Sequence, residues 1–266
     1  MSAVDELFAK LKADGKKAFM PFITAGDPDL KTTSELLQAL DAVGCHICEL
    51  GIPFSDPIAD GPTIQASYTR ALDGGVRLEQ ILEMVGSTVP KISMPVVTMV
   101  SYSIVWRRGI DAYLDAAQQA GVSGLIVPDL PVEESAALGK QCAERDMSLI
   151  QLITPTTKKD RAEQIAERAT GFIYYVSVAG ITGERTEMPA DITDNLNWLR
   201  EKTDTPICVG FGISSPETVR MLKPHADGLI VGSAIVRRIQ SAIEAGQAPQ
   251  DSVSEFCRTM IAALDE

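Results

Sequence analysis

Apolar residues along this chain fall into two rhythms that take turns. Short runs rich in β-branched and other apolar residues occur at Ala18 to Thr24, His46 to Gly51, Val96 to Tyr102, Gly124 to Pro128, Ser148 to Ile153, Gly171 to Val176, Ile207 to Phe211 and Gly228 to Val231, which predicts eight strands. Between them apolar residues recur at three- and four-residue spacing, as in Leu36, Leu37, Leu40 and Val43, or Ala162, Ile165, Ala166 and Ala169. Each such segment predicts a helix with one apolar face. Strict alternation of strand and helix implies a parallel sheet, because parallel neighbours need a crossover. Eight units suggest closure into a (β/α)8 TIM barrel. A doubly wound open sheet is the alternative, but it usually has fewer strands and a Gly-rich turn after the first one, whereas Ala25-Gly-Asp-Pro28 stands there. A helix over residues 3–15, with Val4, Leu7, Phe8 and Leu11 on one stripe and Gly15 ending it, precedes the first strand. Further helices are expected at Leu78 to Val85 and Val253 to Leu264. No linker or composition break appears, so residues 1–266 read as one domain of α/β class.

Composition narrows the function classes. At 266 residues the chain is close to the roughly 250 typical of such a barrel. A net charge of -12 argues against a nucleic-acid binder, which needs a basic face. Val4 to Lys17 mixes charges with apolar residues and does not form a signal peptide's apolar stretch. The longest uncharged run, Ile92 to Trp106, contains Pro95 and is too short to span a bilayer. A cytoplasmic location is therefore expected. The five cysteines, Cys45, Cys48, Cys142, Cys208 and Cys257, are odd in number and scattered, unlike a disulfide framework. Cys45-His-Ile-Cys48 lies in a predicted strand whose alternation would put its sulfurs on opposite faces, so small buried residues are expected there instead of a redox or zinc pair.

Barrel enzymes place their chemistry at the C-terminal ends of the strands. The polar residues there are Asp27, Glu49, Asp60, Ser101, Ser103, Asp129, Thr154, Tyr174, Tyr175, Ser177 and Ser233. Glu49 stands out. Alternation sends Ile47, Glu49 and Gly51 to one face of strand two and Cys48, Leu50 and Ile52 to the other, so if both faces are buried Glu49 points inward. Asp60 follows in a turn-rich segment punctuated by Pro53, Pro57, Gly61 and Pro62. Three Gly-bearing turns come after strands six, seven and eight: Gly180-Ile-Thr-Gly183, Gly210-Phe-Gly-Ile-Ser214 and Gly232-Ser-Ala. A helix starting at Ser233 would aim free amides at the same spot, and loops after strands seven and eight of this fold frequently bind phosphate. Arg and Lys are sparse in these turns, so backbone amides are expected to carry the binding.

The remaining residues exclude several mechanisms. No lysine lies in or at the end of a predicted strand, which disfavours a Schiff base. His46 and His225 fall near the far ends of their strands, so neither a histidine base nor a metal site is expected, and no Ser-His or Cys-His pair is available. Paired carboxylates remain. A Glu between apolar walls has its pKa raised and can exchange protons near neutrality, while a looped Asp stays ionised. The bland alternatives are a structural buried carboxylate for Glu49 and a turn-forming Asp60.

The stretch Glu49-Leu-Gly-Ile-Pro-Phe-Ser-Asp-Pro-Ile-Ala-Asp-Gly-Pro62 resembles the signature of the tryptophan synthase alpha subunit family. So do Pro21-Phe-Ile-Thr-Ala-Gly-Asp-Pro28, Pro128-Asp-Leu-Pro131 with Glu133-Glu-Ser135, Val176-Ser177 with Gly180 to Gly183, Gly210 to Pro216, and Gly232-Ser-Ala-Ile235. The resemblance implies a barrel that cleaves indole-3-glycerol phosphate into indole and glyceraldehyde 3-phosphate, with Glu49 as acid/base and Asp60 facing the indole N–H. It implies a catalytic Tyr174, although alternation leaves open which of Tyr174 and Tyr175 faces inward and plain core packing suits either. Phe22 and Phe211 are candidates for the indole walls, and Gly183, Gly212, Gly232 and Ser233 for the phosphate. The resemblance further implies no cofactor in this chain, a beta subunit carrying pyridoxal phosphate, an α2β2 hetero-oligomer meeting its partner near Asp56 and Pro128 to Pro131, and a mobile loop at Ile181 to Asp191. Ser101 and Ser103, followed by Trp106 and two arginines, depart from the family's usual Tyr and Asn after strand three. A sugar-phosphate isomerase on the same barrel and a non-catalytic phosphate-binding subunit are the competing readings.

Overall fold

The computed structural model describes residues 1–57, 60–176, 190–210 and 212–266. Eight parallel strands close on themselves in chain order: β1 (Ala18–Thr24), β2 (Cys48–Gly51), β3 (Val96–Met99), β4 (Gly124–Ile126), β5 (Ser148–Ile153), β6 (Ile173–Val176), β7 (Ile207–Gly210) and β8 (Gly228–Val231), with β8 pairing back onto β1. Among the described residues the helices are α1 (Ala3–Ala13), α2 (Leu30–Ala42), α3 (Pro62–Asp73), α4 (Leu78–Thr88), α5 (Tyr102–Arg108), α6 (Ile110–Gln119), α7 (Ser135–Ala143), α8 (Lys159–Arg168), α9 (Ala190–Arg200), α10 (Pro216–Leu222), α11 (Ser233–Glu244) and α12 (Pro249–Asp265). The fold is therefore the expected (β/α)8 barrel, with α1, α4 and α12 where added helices were predicted.

Strand alternation sorts the core into two layers. Met20, Phe22, Ile47, Val97, Met99, Ile126, Ile150, Cys208 and Ile230 fill the barrel. Phe19, Ile23, Cys48, Leu50, Leu125, Leu149, Val209 and Leu229 point outward against the helices. Both faces are apolar, as a parallel sheet covered on both sides requires. The N-terminal end of the barrel is covered by α1, whose Val4, Phe8 and Leu11 join the inner cluster, with the Phe8 and Phe172 rings 5.7 Å apart. Ser2 caps that helix reciprocally with Asp5 and meets Ser148 at the start of β5, Oγ to Oγ 2.6 Å. The bottom is sealed, so the open end is the C-terminal one.

Several expected boundaries shift: the run from Gly124 ends as a strand at Ile126 and the one from Gly171 begins as a strand at Ile173, and two other shifts have a structural cause or consequence. The run predicted to continue to Tyr102 ends as a strand at Met99, because Ser101 caps α5 by accepting from the Ser103 N–H. Strand two begins at Cys48 instead of His46, so Cys45 precedes it and alternation does not apply to it. Both Cys45 and Cys48 consequently sit in the outer layer and not on opposite faces, as free, buried thiols.

Candidate functional site

Glu49 occupies the middle of the short strand β2, in register with Phe22 on β1 and Val97 on β3. Its inward direction follows from the alternation that places Ile47 inside the barrel and Leu50 outside. It is 2% exposed and neither carboxylate oxygen has a hydrogen-bond partner among the described residues. Leaving a buried carboxylate unpaired is costly, and the group responds by holding its proton. Burial, and secondarily the charge of Asp60, raise its pKa from 4.5 to about 8. A structural carboxylate would be satisfied by backbone amides, so this geometry counts against the bland alternative.

Asp60 stands just before Gly61, the N-cap of α3. That helix is fastened to the end of β1 and the turn after it by two polar links, one buried and one partly buried. Thr24 Oγ1 lies 2.6 Å from Ser67 Oγ, and Arg70 donates twice to Asp27, Nε to Oδ1 at 2.9 Å and Nη2 to Oδ2 at 2.7 Å. Gln65 Nε2 donates to the Asp60 carbonyl at 2.8 Å, steadying the turn while leaving the carboxylate to face a cavity of about 750 Å³ that Glu49 also lines. Burial raises the Asp60 pKa to about 6, still below neutrality, consistent with the ionised loop carboxylate that sequence reasoning expected. The ordering survives: near neutrality Asp60 is ionised and Glu49 protonated.

Tyr174 and Tyr175 resolve as sequence alternation could not decide. Tyr174 packs with the inner cluster and lines the cavity, while Tyr175 is buried in the outer layer. The Tyr174 ring crosses Gly210 so closely that a Cβ there would lie 2.4 Å from Cε2. Phe22 crosses Gly51 in the same way, 2.5 Å from Cζ. Glycine at these two positions is what lets both rings lie across the barrel mouth. Phe22, Gly212, Gly232 and Ser233 all line the cavity. The N–H groups of Ile235 and Val236 are taken by the Gly232 carbonyl at 2.8 and 3.1 Å, which leaves Ser233 and Ala234 as the helix-start amides toward the cavity. Gly183, Phe211, Ser177 and most of the Ile181 to Asp191 segment lie outside the described residues.

Other polar residues at the strand ends serve different purposes. Asp129 accepts from Ser101 Oγ and from the Tyr102 N–H, both at 2.7 Å, so the serines after β3 build a helix cap. Thr154 Oγ1 bonds Thr156 and Thr157. His46 accepts from the Phe19 N–H through Nδ1 at 3.1 Å, away from the open end, and burial lowers its pKa. Among the described residues no group of three or more His, Cys, Asp or Glu side chains could hold a metal, and no helix is long and apolar enough to cross a membrane.

Several cavity residues escaped sequence reasoning, two of them cationic. Arg161 and Arg237 line the cavity, so it has cationic wall residues in addition to amides, although Arg161 is bidentate to Glu133. Arg237 was signalled by its spacing, one helical turn after Ser233. Tyr68, one turn after Ile64 on α3, is buried in the inner cluster near both carboxylates.

Comparison with known proteins identifies the family. The sequence model of the family described as tryptophan synthase alpha chain matches residues 8–265. The chain belongs to the tryptophan synthase alpha chain family. Alpha chains of Rhodopirellula baltica and Trichormus variabilis are 52% and 47% identical to it, the first over 100% of this chain and 99% of that one, the second over 99% of each. A crystal structure of the alpha subunit from Legionella pneumophila superposes with a TM-score of 0.92 at 34% identity, covering 100% of this chain and 99% of that one. A mutant alpha subunit from Pyrococcus furiosus gives 0.84 at 36% identity over 93% and 99%. As a member of this family the chain is a lyase of tryptophan biosynthesis that cleaves indole-3-glycerol phosphate, and alpha chains work with a beta subunit.

Proposed function

We propose that Glu49 carries the proton through the cleavage and that Asp60 stabilises the charge it creates. The observation that carries this reading is a buried Glu49, without a hydrogen-bond partner among the described residues, lining the cavity that Asp60, Tyr174 and the Gly232-Ser233 turn also line. Breaking the carbon–carbon bond requires a proton on the indole ring carbon and removal of one from the neighbouring side-chain hydroxyl. Protonated Glu49 gives its proton to the ring carbon, and the resulting carboxylate accepts the hydroxyl proton as the bond breaks and the carbonyl of glyceraldehyde 3-phosphate forms. One group close to both atoms suffices. Protonating the ring carbon puts positive charge on the indole nitrogen, and an ionised Asp60 attracts that charge more strongly in the transition state than in the ground state.

Phe22 and Phe211 wall the indole, Tyr174 borders the reacting centre, and Gly183, Gly212, Gly232 and Ser233 take the phosphate. Glycine turns and a helix start supply N–H donors for such an anion. All of these steps use side chains and amides of residues 1–266 acting as one domain, with no cofactor in this chain and pyridoxal phosphate in the beta subunit of a cytoplasmic α2β2 assembly. Glu49→Gln is expected to abolish indole release while indole-3-glycerol phosphate still binds. Substantial residual turnover, with or without the beta subunit, removes Glu49 as the proton carrier. Asp60→Asn should lower kcat about a hundredfold, and an unchanged rate makes Asp60 a turn residue only.

A further inference from the structure

A further polar side chain stands among the residues invoked above. Tyr68 is 3% exposed and belongs to the cluster that fills the barrel. Its Oη lies over Gly51, where a Cβ would come within 2.8 Å of it. Gly51 is two residues beyond Glu49 on the same inward face of β2, so the phenol occupies the layer directly above that carboxylate. Tyr68 also lines, with Asp60 and Met99, a small cavity beside the larger one. No described residue hydrogen-bonds the Tyr68 hydroxyl or the Asp60 carboxylate. A phenol packed into the barrel whose residue lines a cavity, with no described partner for its hydroxyl, holds a donor in reserve.

The surrounding charges decide where that donor goes. Glu49 on β2, Asp60 before α3 and Tyr174 on β6 share one electrostatic neighbourhood with Tyr68. Two further carboxylates line the small cavity: Asp129 is engaged by Ser101 and the Tyr102 N–H, and Asp56 accepts from Ser55 Oγ at 2.7 Å. Burial first, then the charges of Asp60 and Glu49, hold the phenol protonated well above its ordinary range, so it donates and does not accept a proton. With Glu49 protonated near neutrality, the strongest free acceptor nearby is ionised Asp60. Asp60 and Tyr68 are close along the chain, the first just before α3 and the second within it.

We propose that Tyr68 is a positioning residue of the cleavage reaction: in the substrate-bound site its hydroxyl donates to the Asp60 carboxylate, keeping it ionised and aimed at the indole nitrogen. This rests on the role given to Asp60 above. A donor to the charged form stabilises that form, so losing it moves the Asp60 titration upward.

The test is Tyr68→Phe, which removes one oxygen that no described residue bonds and keeps the ring. The acid limb of kcat, which reports the substrate-bound enzyme, is expected to move up by about one pH unit, so that turnover at low pH falls roughly tenfold while the alkaline side changes less than about twofold. The thermal midpoint should be unchanged. In an Asp60→Asn background the same substitution should cost nothing further, since the phenol then has no carboxylate to hold. A crippled Asp60→Asn together with an unaltered Tyr68→Phe profile, a loss uniform across pH, or losses that multiply in the double variant overturn the Tyr68 assignment alone. An unchanged rate in Asp60→Asn overturns the Asp60 reading and this one with it.

Discussion

Replacing Glu49 by Gln should change stability in a way that depends on pH, and the structure sets the size of the effect. In the unfolded chain this carboxyl titrates near 4.5, whereas in the fold burial and Asp60 raise it to about 8. Between those values the folded state binds the proton more tightly than the unfolded state, so stability falls as pH rises. Below about 4.5 both states are protonated and the residue contributes nothing; above about 8 the full penalty applies. At about 1.4 kcal/mol per pH unit the penalty is on the order of 5 kcal/mol. Gln has nearly the same shape and no charge to desolvate. The assay is urea unfolding of both proteins across pH 5 to 9, keeping to conditions where the transition is two-state. The two should be nearly equally stable at the acid end, with the variant gaining several kcal/mol by the alkaline end. A difference that stays constant across the range would mean that Glu49 is solvated or paired in solution, and the proposed proton carrier would lose its physical basis.

Other changes probe the frame around the site. Gly51→Ala brings a Cβ to 2.5 Å from Phe22 Cζ and 2.8 Å from Tyr68 Oη. Displacing these two rings should lower kcat/KM by roughly tenfold or more for a stability loss of about 1 to 3 kcal/mol; steady-state kinetics beside a thermal melt checks this, and unaltered kinetics would mean that neither ring position matters. Arg70→Met leaves Asp27, 2% exposed, without its bidentate partner. A stability loss of about 3 kcal/mol is expected from an uncompensated buried carboxylate, measured by urea unfolding at neutral pH, and a loss below the error of the method would make the pair dispensable.

The eight-strand barrel could be read from the chain because its signal is local. Short apolar runs such as Ala18 to Thr24 and Ser148 to Ile153 match β1 and β5 residue for residue. Glu49's inward direction came from the alternation that side-chain geometry imposes on any strand. Where a boundary depended on hydrogen bonds to a distant residue, local pattern misled: Ser101 and Tyr102 looked like strand, but Asp129, far along the chain, captures both to start α5.

Amino-acid order alone therefore set the sequence of elements, the closed barrel, the face on which Glu49 lies and the family to which the chain belongs. Folding in three dimensions decided that Glu49 has no partner among the described residues, that Asp60 is desolvated as well, that Tyr174 and not Tyr175 turns inward, that Arg237 lines the large cavity and that Tyr68 joins the inner cluster beside it. The reason is range. Strand alternation and helical spacing act over a few residues, whereas desolvation and the fields of neighbouring charges depend on groups that meet only when β1, β2, β6 and α3 converge at one end of the barrel.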